Sequence, residues 1–133
     1  MKRVLLDHNL DKALARELSP HTVALTKNLG WEELSNGPLL TAAQAGFDVL
    51  LTTDVALYSQ QKVEQFVLGV IVLRVFSNRY EDCQPLIPEV LQVLEEIKPG
   101  QLRFVYVSPV LEQSDRRRKR GPYATNRAAG KKG

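Results

Sequence analysis

Features that define several special protein classes are scarce or missing in this sequence of 133 residues. With a single cysteine, Cys83, the chain cannot form an intramolecular disulfide, which suits a reducing compartment. Its longest apolar stretch, residues 66–76, is interrupted by Gly69 and Arg74 and is shorter than the roughly 20 residues of a membrane span. The first residues lead directly into a strand-like pattern, so we expect no signal peptide. These absences predict a cytoplasmic protein that has no membrane partner.

Charge is distributed unevenly along the chain, although the formal net charge is only +3. Residues 1–113 contain 10 Lys and Arg against 14 Asp and Glu, a net of −4, whereas residues 114–133 contain eight against one, a net of +7. A chain of this length forms one compact domain at most. We therefore expect one folded domain over residues 1–110 and a basic, flexible tail over residues 111–133.

Short apolar segments alternate with segments in which apolar residues recur at helical spacing. Predicted strands cover residues 2–6, 22–26, 49–54, 69–75 and 102–107, and predicted helices begin at Asn9 or Asp11, at Asn36, near Gln60 and near Leu86. The middle strands are almost entirely apolar, which is typical of a parallel sheet buried on both faces. The sequence thus predicts an α/β fold, with a mostly parallel five-stranded sheet covered by helices on both faces.

Two of the predicted strands end in an aspartate. Asp7 follows the first strand, and Asp54 closes the third. Ligands of open α/β sheets bind beyond the carboxyl ends of the strands, so the two carboxylates converge if these strands are neighbours. Carboxylate oxygens suit Mg²⁺ or Mn²⁺, which lower the pKa of a bound water and stabilise charge on a phosphodiester. The alternative is that each aspartate only caps the helix that follows it.

Several segments resemble a short bacterial PIN-like family, much of which is catalogued only as a domain of unknown function. The resemblance covers residues 2–107 in register and leaves out the basic tail. It rests on Leu5-Leu6-Asp7-His8-Asn9-Leu10, on Gly30-Trp31-x-x-Leu34-x-Asn36-Gly37-x-Leu39-Leu40, and on Phe47-Asp48-Val49-Leu50-Leu51-Thr52-Thr53-Asp54 with Gln60-Gln61. Later segments of the family pattern, at residues 71–73, 85–88 and 99–100, occur in the expected order.

The resemblance implies a PIN-like three-layer sandwich with the strand order 3-2-1-4-5. Active members of the wider PIN group are Mg²⁺- or Mn²⁺-dependent ribonucleases, many of them toxins of toxin–antitoxin pairs. Their cluster of acids holds metal and activates water for attack on an RNA phosphodiester. Asp7 matches the first acid of this cluster, and Asp54 matches the acid of its Thr-x-Asp motif. Glu33 is the candidate for a further catalytic acid, and Asn9 for a neutral metal ligand.

Further residues are candidates for contact with the substrate. Asn36, Gln60 and Gln61 match family positions and are expected to line the mouth of the site, although both glutamines could instead cap a helix. Clustered cations attract phosphates without sequence preference, and the tail supplies Arg116, Arg117 and Arg118. The alternatives for this basic run are a solubilising tail and contact with an acidic partner such as an antitoxin.

Other chemically capable side chains are predicted to have structural roles. His8 could shuttle a proton beside Asp7, but continued strand alternation would point it to the opposite side. Trp31 is either a packing anchor or a platform on which bases stack. Cys83 lacks a paired histidine and is expected to be a small buried residue.

The resulting prediction is a metal-dependent ribonuclease that acts on RNA, with an antitoxin and a second copy of the chain as candidate partners. The alternative is a catalytically weak or inactive PIN-like module that binds a protein or nucleic acid. It is favoured because Asn36 stands where active members carry an acid and because residues 55–61 contain no acid. A phosphate-transfer receiver domain would need an acidic pair after the first strand and a lysine after the last, and neither is present.

Overall fold

A single sheet of five strands forms the centre of a computed structural model of the chain, which describes residues 1–117 apart from the side chains of Tyr58, Ser59 and Arg117. The strands are β1 (Arg3–Leu6), β2 (Thr22–Leu25), β3 (Val49–Thr52), β4 (Gly69–Arg74) and β5 (Leu102–Tyr106). Their spatial order is β2-β1-β3-β4-β5, and every neighbouring pair is parallel.

Helical segments connect the strands. The α-helices are α1 (Asn36–Gln44), α2 (Ala56–Gln60), α3 (Tyr80–Cys83), α4 (Ile87–Glu96) and α5 (Pro109–Arg117). Shorter-pitched 3₁₀ helices cover Lys12–Leu18, Lys27–Leu29, Val63–Gln65 and Gln84–Leu86. Within residues 1–117, no helix has both the length and the apolar character needed to cross a membrane.

The predicted α/β class and parallel five-stranded sheet are confirmed, but the predicted strand order 3-2-1-4-5 is wrong. β3 pairs with β1, with Leu50 opposite Leu5, whereas the predicted order places β2 between them. Burial accounts for the difference. All four residues of β3 are buried, while β2 begins with the exposed Thr22 and is otherwise half-buried. A fully apolar strand gains most from neighbours on both sides, so β3 lies inside the sheet and β2 forms an edge.

Alternate residues of the inner strands belong to two different apolar clusters. Leu6 and Leu51 share one cluster with residues of α4 and of the 3₁₀ helix that follows β1. Leu5 and Leu50 share the other cluster with residues of α1 and α2. Successive side chains of a strand point to opposite faces, so both faces of the inner strands make apolar contacts.

The predicted helix starts agree with the structure in part. α1 begins at Asn36, as predicted, although its N-cap residue is Ser35 and not Asn36. The short helix predicted around Gln60 to Gln65 corresponds to two elements, because α2 ends at Gln60 and the 3₁₀ helix Val63–Gln65 follows it. The turn into α2 starts early because Oδ1 of Asp54 accepts a hydrogen bond from the backbone N–H of Ala56 at 2.9 Å.

A buried ion pair holds α5 against the sheet. Asp115 is 1% exposed, and its carboxylate accepts hydrogen bonds from Nε and Nη2 of Arg74 at 2.7 and 2.9 Å. Such a bidentate pair is the strong form of an Arg–carboxylate interaction. Residues 111–117 of the predicted tail thus lie in a helix anchored at the carboxyl end of β4, and residues 118–133 lie outside the described residues.

Removal of Asp115 would leave the Arg74 guanidinium without its buried counterion. We expect Asp115→Ala to lower the free energy of unfolding by about 3 kcal/mol, because loss of one partner of a buried pair costs roughly that much. The matched control is Glu112→Ala, which removes an exposed carboxylate of the same helix and should cost less than about 1 kcal/mol. Urea unfolding measures both, and equal losses would contradict the docking role of Asp115.

Candidate functional site

The carboxyl ends of β1 and β3 lie side by side in the middle of one sheet edge. Leu6, the last residue of β1, is opposite Leu51, and the backbone N–H of Asp7 donates to the Leu51 carbonyl at 3.0 Å. The chain then leaves β1 toward β2 on one side and leaves β3 toward β4 on the other. This arrangement is the topological switch point of an open parallel sheet, where α/β folds bind ligands.

Asp7 is buried at the switch point, and its carboxylate is held in place. The residue is 4% exposed. Its Oδ2 accepts a hydrogen bond from the Thr52 hydroxyl at 2.7 Å, and its Oδ1 accepts one from the backbone N–H of His8 at 2.8 Å. The His8 ring reaches the same atom, with Nδ1 3.1 Å from Oδ1. Because a carboxylate oxygen has two lone pairs, Oδ2 keeps one for a further ligand.

Thr52, the last residue of β3, links the two aspartates. Its fully buried hydroxyl donates to Asp7, while its Oγ1 accepts a hydrogen bond from the backbone N–H of Asp54 at 3.0 Å. Asn9 joins this network, since its Nδ2 lies 3.4 Å from the same Oγ1 and its Oδ1 accepts from the Thr53 N–H at 3.5 Å. One hydroxyl therefore ties the loop after β1 to the loop after β3.

Asp54 combines a local structural role with a free acceptor. One carboxylate oxygen, Oδ1, accepts the Ala56 N–H in a turn typical of aspartate before a helix. Among the side chains and backbone groups that the structure describes, no hydrogen-bond donor or cation is recorded for Oδ2. The capping alternative for Asp54 and the ligand hypothesis are therefore compatible, because each uses a different oxygen.

Both aspartates line one cavity of about 260 Å³. The remaining walls come from the loop after β1, from the loop before α1, from α1 and from the end of α2, and they consist of His8, Trp31, Leu34, Ser35, Asn36, Leu39 and Gln60. The amides of Asn36 and Gln60 can both donate and accept hydrogen bonds. Two carboxylates dominate the charge of the cavity, so an anionic ligand requires a cation between it and the protein.

The structure places only some of the predicted site residues at this cavity. Asp7, Asp54, Asn36 and Gln60 line it. Glu33 is exposed on the loop before α1 and is not part of the lining. The two acids predicted from the strand ends are therefore brought together, whereas the third proposed acid is not.

The remaining predicted residues lie around the cavity or away from it. Asn9 is not part of the lining, and its amide contacts Thr52 and the backbone N–H of Thr53. Gln61 lies against the first turn of α1, because a Cβ built on Gly37 would be 3.4 Å from Gln61 Nε2. On α5, Arg116 donates a hydrogen bond to Glu112 at 2.8 Å. The predicted tail contacts of the Arg117 side chain and of Arg118 lie outside the described residues.

The placement of His8 corrects the expectation that it points away from Asp7. β1 ends at Leu6, so strand alternation does not continue to this histidine. Its side chain is 53% exposed and lines the cavity beside Asp7. The Trp31 ring packs edge-on against Phe47 at a centroid distance of 6.2 Å, as expected of a packing anchor, and it also lines the cavity.

Sequence reasoning missed the positioning role of Thr52. The sequence feature that could have indicated this role is the position of Thr52 at the end of an apolar strand, two residues before Asp54. Cys83 is fully buried, as predicted, and desolvation raises the pKa of its thiol, with further contributions from the charges of Asp82 and Asp11. A raised pKa keeps the thiol protonated, so this cysteine is a poor nucleophile.

The cavity offers a metal ion two carboxylates, those of Asp7 and Asp54. Within residues 1–117, no group of three or more His, Cys, Asp or Glu side chains is placed to hold a metal. Mg²⁺ characteristically keeps several waters and binds through one or two carboxylates plus substrate phosphates. Asp7 and Asp54 therefore fit a hard divalent ion that is shared with a phosphate-bearing ligand.

The chain matches no protein-family profile, no curated protein and no solved structure. The fold class alone does not decide the function, because doubly wound sheets carry many unrelated activities.

Replacing Thr52 by valine keeps the shape of the side chain and removes its hydroxyl. We expect Thr52→Val to lower the free energy of unfolding by about 2–3 kcal/mol, because it removes a donor from Asp7 and an acceptor from the Asp54 N–H. Thr52→Ser keeps the hydroxyl and should cost about 1 kcal/mol for the lost methyl group. Urea unfolding of both variants measures the difference. A valine variant as stable as the serine variant would show that the hydroxyl network does not support the site.

Proposed function

We propose that this chain is a PIN-like, Mg²⁺- or Mn²⁺-dependent ribonuclease that hydrolyses phosphodiester bonds of RNA. The observation that carries the proposal is the pair of carboxylates, Asp7 and Asp54, in one cavity at the switch point of the sheet. The oxygen-only donor set suits a hard cation, and the substrate phosphodiester would supply one further anionic ligand. The resemblance of residues 2–107 to the PIN-like family supports the same chemistry.

Different residues of the cavity have different roles in the proposed reaction. When bound, a divalent ion supplies a more acidic water and stabilises the charge that develops on the phosphate. Asp7 and Asp54 would hold that ion through their remaining oxygen lone pairs, and Thr52 keeps Asp7 oriented before the substrate arrives. The amides of Asn36 and Gln60 would donate hydrogen bonds to the phosphate oxygens, which fixes the linkage in the cavity.

Recruitment of RNA needs positive charge, because residues 1–113 are acidic overall. All strands are parallel, so the Arg74 end of β4 lies at the same sheet edge as the cavity. The Arg74–Asp115 pair anchors α5 there, and the basic sequence begins at Arg116 near the end of this helix. A basic segment that starts at this edge would raise the local concentration of RNA in a salt-dependent manner.

The wider biological role belongs to the same proposal. A toxin of a toxin–antitoxin pair, an antitoxin protein as partner and a homodimer all rest on the family resemblance. A cytoplasmic location rests on the composition and on the single cysteine.

A second candidate function is a PIN-like module that binds nucleic acid or protein without cleaving it. Asn36 favours this candidate, because the cavity presents an amide where active family members carry an acid. Glu33, the acid nearest to that position along the chain, does not line the cavity. The two candidates differ in whether the carboxylate pair binds a divalent ion.

A phosphate-transfer receiver domain is disfavoured in spite of the strand order. The order 2-1-3-4-5 is shared by doubly wound folds with different functions, receiver domains included. In this chain a single acid, Asp7, follows β1, and Val107 and Ser108 follow β5 where a lysine would be needed. The residues for phosphorylation of an aspartate are therefore missing from their places.

Cleavage of a mixed-sequence single-stranded RNA tests the nuclease. We expect cleavage in Mn²⁺, none in EDTA, and a rate at least about 100-fold lower for Asp54→Asn, because the variant loses a charge needed to stabilise the transition state. Asp48→Asn is the matched control, since Asp48 precedes β3 at the opposite sheet edge and accepts the Arg3 N–H at 2.8 Å. It should cleave at the wild-type rate. Activity that survives in Asp54→Asn would contradict the assignment of the cavity.

Titration calorimetry with Mn²⁺ separates the two candidate functions. The nuclease predicts saturable binding, strengthened by a non-hydrolysable RNA, that is lost in Asp7→Asn and kept in Asp48→Asn. Folded wild-type protein that neither binds Mn²⁺ nor cleaves RNA would support the binding module instead.

A further inference from the structure

A second cavity, of about 170 Å³, opens at the same sheet edge beside the first. It shares Asp7 and His8 with the first cavity, and its other polar walls are Lys12, Lys27 and Asn28. Its apolar walls are Leu6, Leu10 and Leu25. The volume lies below the roughly 300 Å³ at which pockets for drug-sized ligands begin, so the cavity suits one small group.

The topology brings the two lysines of this cavity together. Lys12 begins the 3₁₀ helix that follows β1, and Lys27 begins the one that follows β2. β1 and β2 are neighbours, with Leu6 opposite Leu25 at their carboxyl ends. Both connections therefore start at the same end of the sheet, and the first residue of each 3₁₀ helix is a lysine.

The ammonium groups of both lysines are available to a ligand. Lys12 and Lys27 are exposed, and no ion pair within the part of the chain that the structure describes includes either of them. The acid next to Lys12 is Asp11, and its carboxylate is engaged as the N-cap of the same helix, where it accepts the Ala13 N–H at 2.8 Å.

The two cavities lie on opposite sides of the sheet edge at β1. Leu39 of the first cavity belongs to the apolar cluster with α1, whereas Leu6 and Leu10 of the second belong to the cluster with α4. Asp7 and His8 stand between them and line both. A polyanion that crosses the edge over His8 would place one phosphate at the carboxylate pair and another at the lysine pair.

We infer that Lys12 and Lys27, with Asn28, form a subsite that binds a backbone phosphate of the RNA strand adjacent to the scissile linkage. The inference rests on the proposed ribonuclease function. Lysine binds phosphate as a compact point charge with three donors. The walls of the small cavity carry two lysines against one aspartate, Asp7, which suits one phosphodiester group with its single negative charge. The subsite fixes the strand on the β2 side, and so it selects which linkage of the strand enters the carboxylate cavity.

Salt-dependent binding tests the subsite without relying on cleavage. The probe is a short fluorescein-labelled single-stranded RNA, and full-length Asp54→Asn protein is the background so that the probe stays intact. We expect Lys12→Ala/Lys27→Ala to weaken binding and to reduce the slope of log Kd against log salt by about 0.7 for one lost single-strand phosphate contact. Lys2→Ala/Lys98→Ala is the matched control, because it removes the same charge before β1 and β5 at the opposite edge. Its slope should stay at the background value.

Neutral linkages locate the contacted phosphate. A set of probes carries one methylphosphonate at each position in turn, and one position should weaken binding in the background protein but not in the double lysine variant. Equal slopes for the two double variants, or a methylphosphonate penalty that persists in the lysine variant, would overturn the subsite. Absence of cleavage by the wild type in Mn²⁺, with the slope difference intact, would remove the ribonuclease proposal and leave the lysine pair as a nucleic-acid contact.

Discussion

Parallel pairing of β1 with β3 is the constraint on which both the fold and the candidate site depend. The pairing sets Leu6 opposite Leu51, so the next residues along each strand, Asp7 and Thr52, emerge together at the sheet edge. It also makes this edge a switch point, because the chain departs to opposite sides from the two strands. With β2 between them, the two aspartates would belong to strands that do not touch, and the cavity would lose one of its carboxylates.

The polar groups at this edge are organised around one buried hydroxyl. Thr52 donates to Asp7 and accepts from the Asp54 N–H, and a buried polar network of this kind is stabilising only when its members are satisfied. The network orients Asp7 in the folded protein before any ligand arrives. Preorganised groups of this kind are what electrostatic catalysis requires, because no energy is then spent on turning them during the reaction.

Positive and negative side chains lie at several strand ends along this sheet edge. The carboxylates lie at the ends of the central strands β1 and β3, the lysine pair lies beyond β1 and β2, and the Arg74–Asp115 pair anchors α5 at the end of β4. Negative charge at the centre would repel a nucleic acid on its own, and under the proposed function the lysine pair offsets that repulsion, because Arg74 is itself neutralised by Asp115. The acidic average of residues 1–113 therefore conceals a local arrangement that suits a phosphate-bearing strand.

The periodicity of apolar residues was enough to locate the strands, because a buried strand must be apolar whatever its neighbours are. It was also enough to identify Asp7 and Asp54, since each directly ends such a strand or lies just beyond it.

The order of the strands was decided by tertiary packing, in which β3 is buried on both faces and β2 is left at the edge. The same holds for residues whose partners lie far away in the sequence: Glu33 lies outside the cavity, the Asn9 amide contacts the loop after β3, and the Thr52 hydroxyl links Asp7 to Asp54. Local sequence determines which residues end a strand, but only the contacts between distant segments determine which of those ends meet.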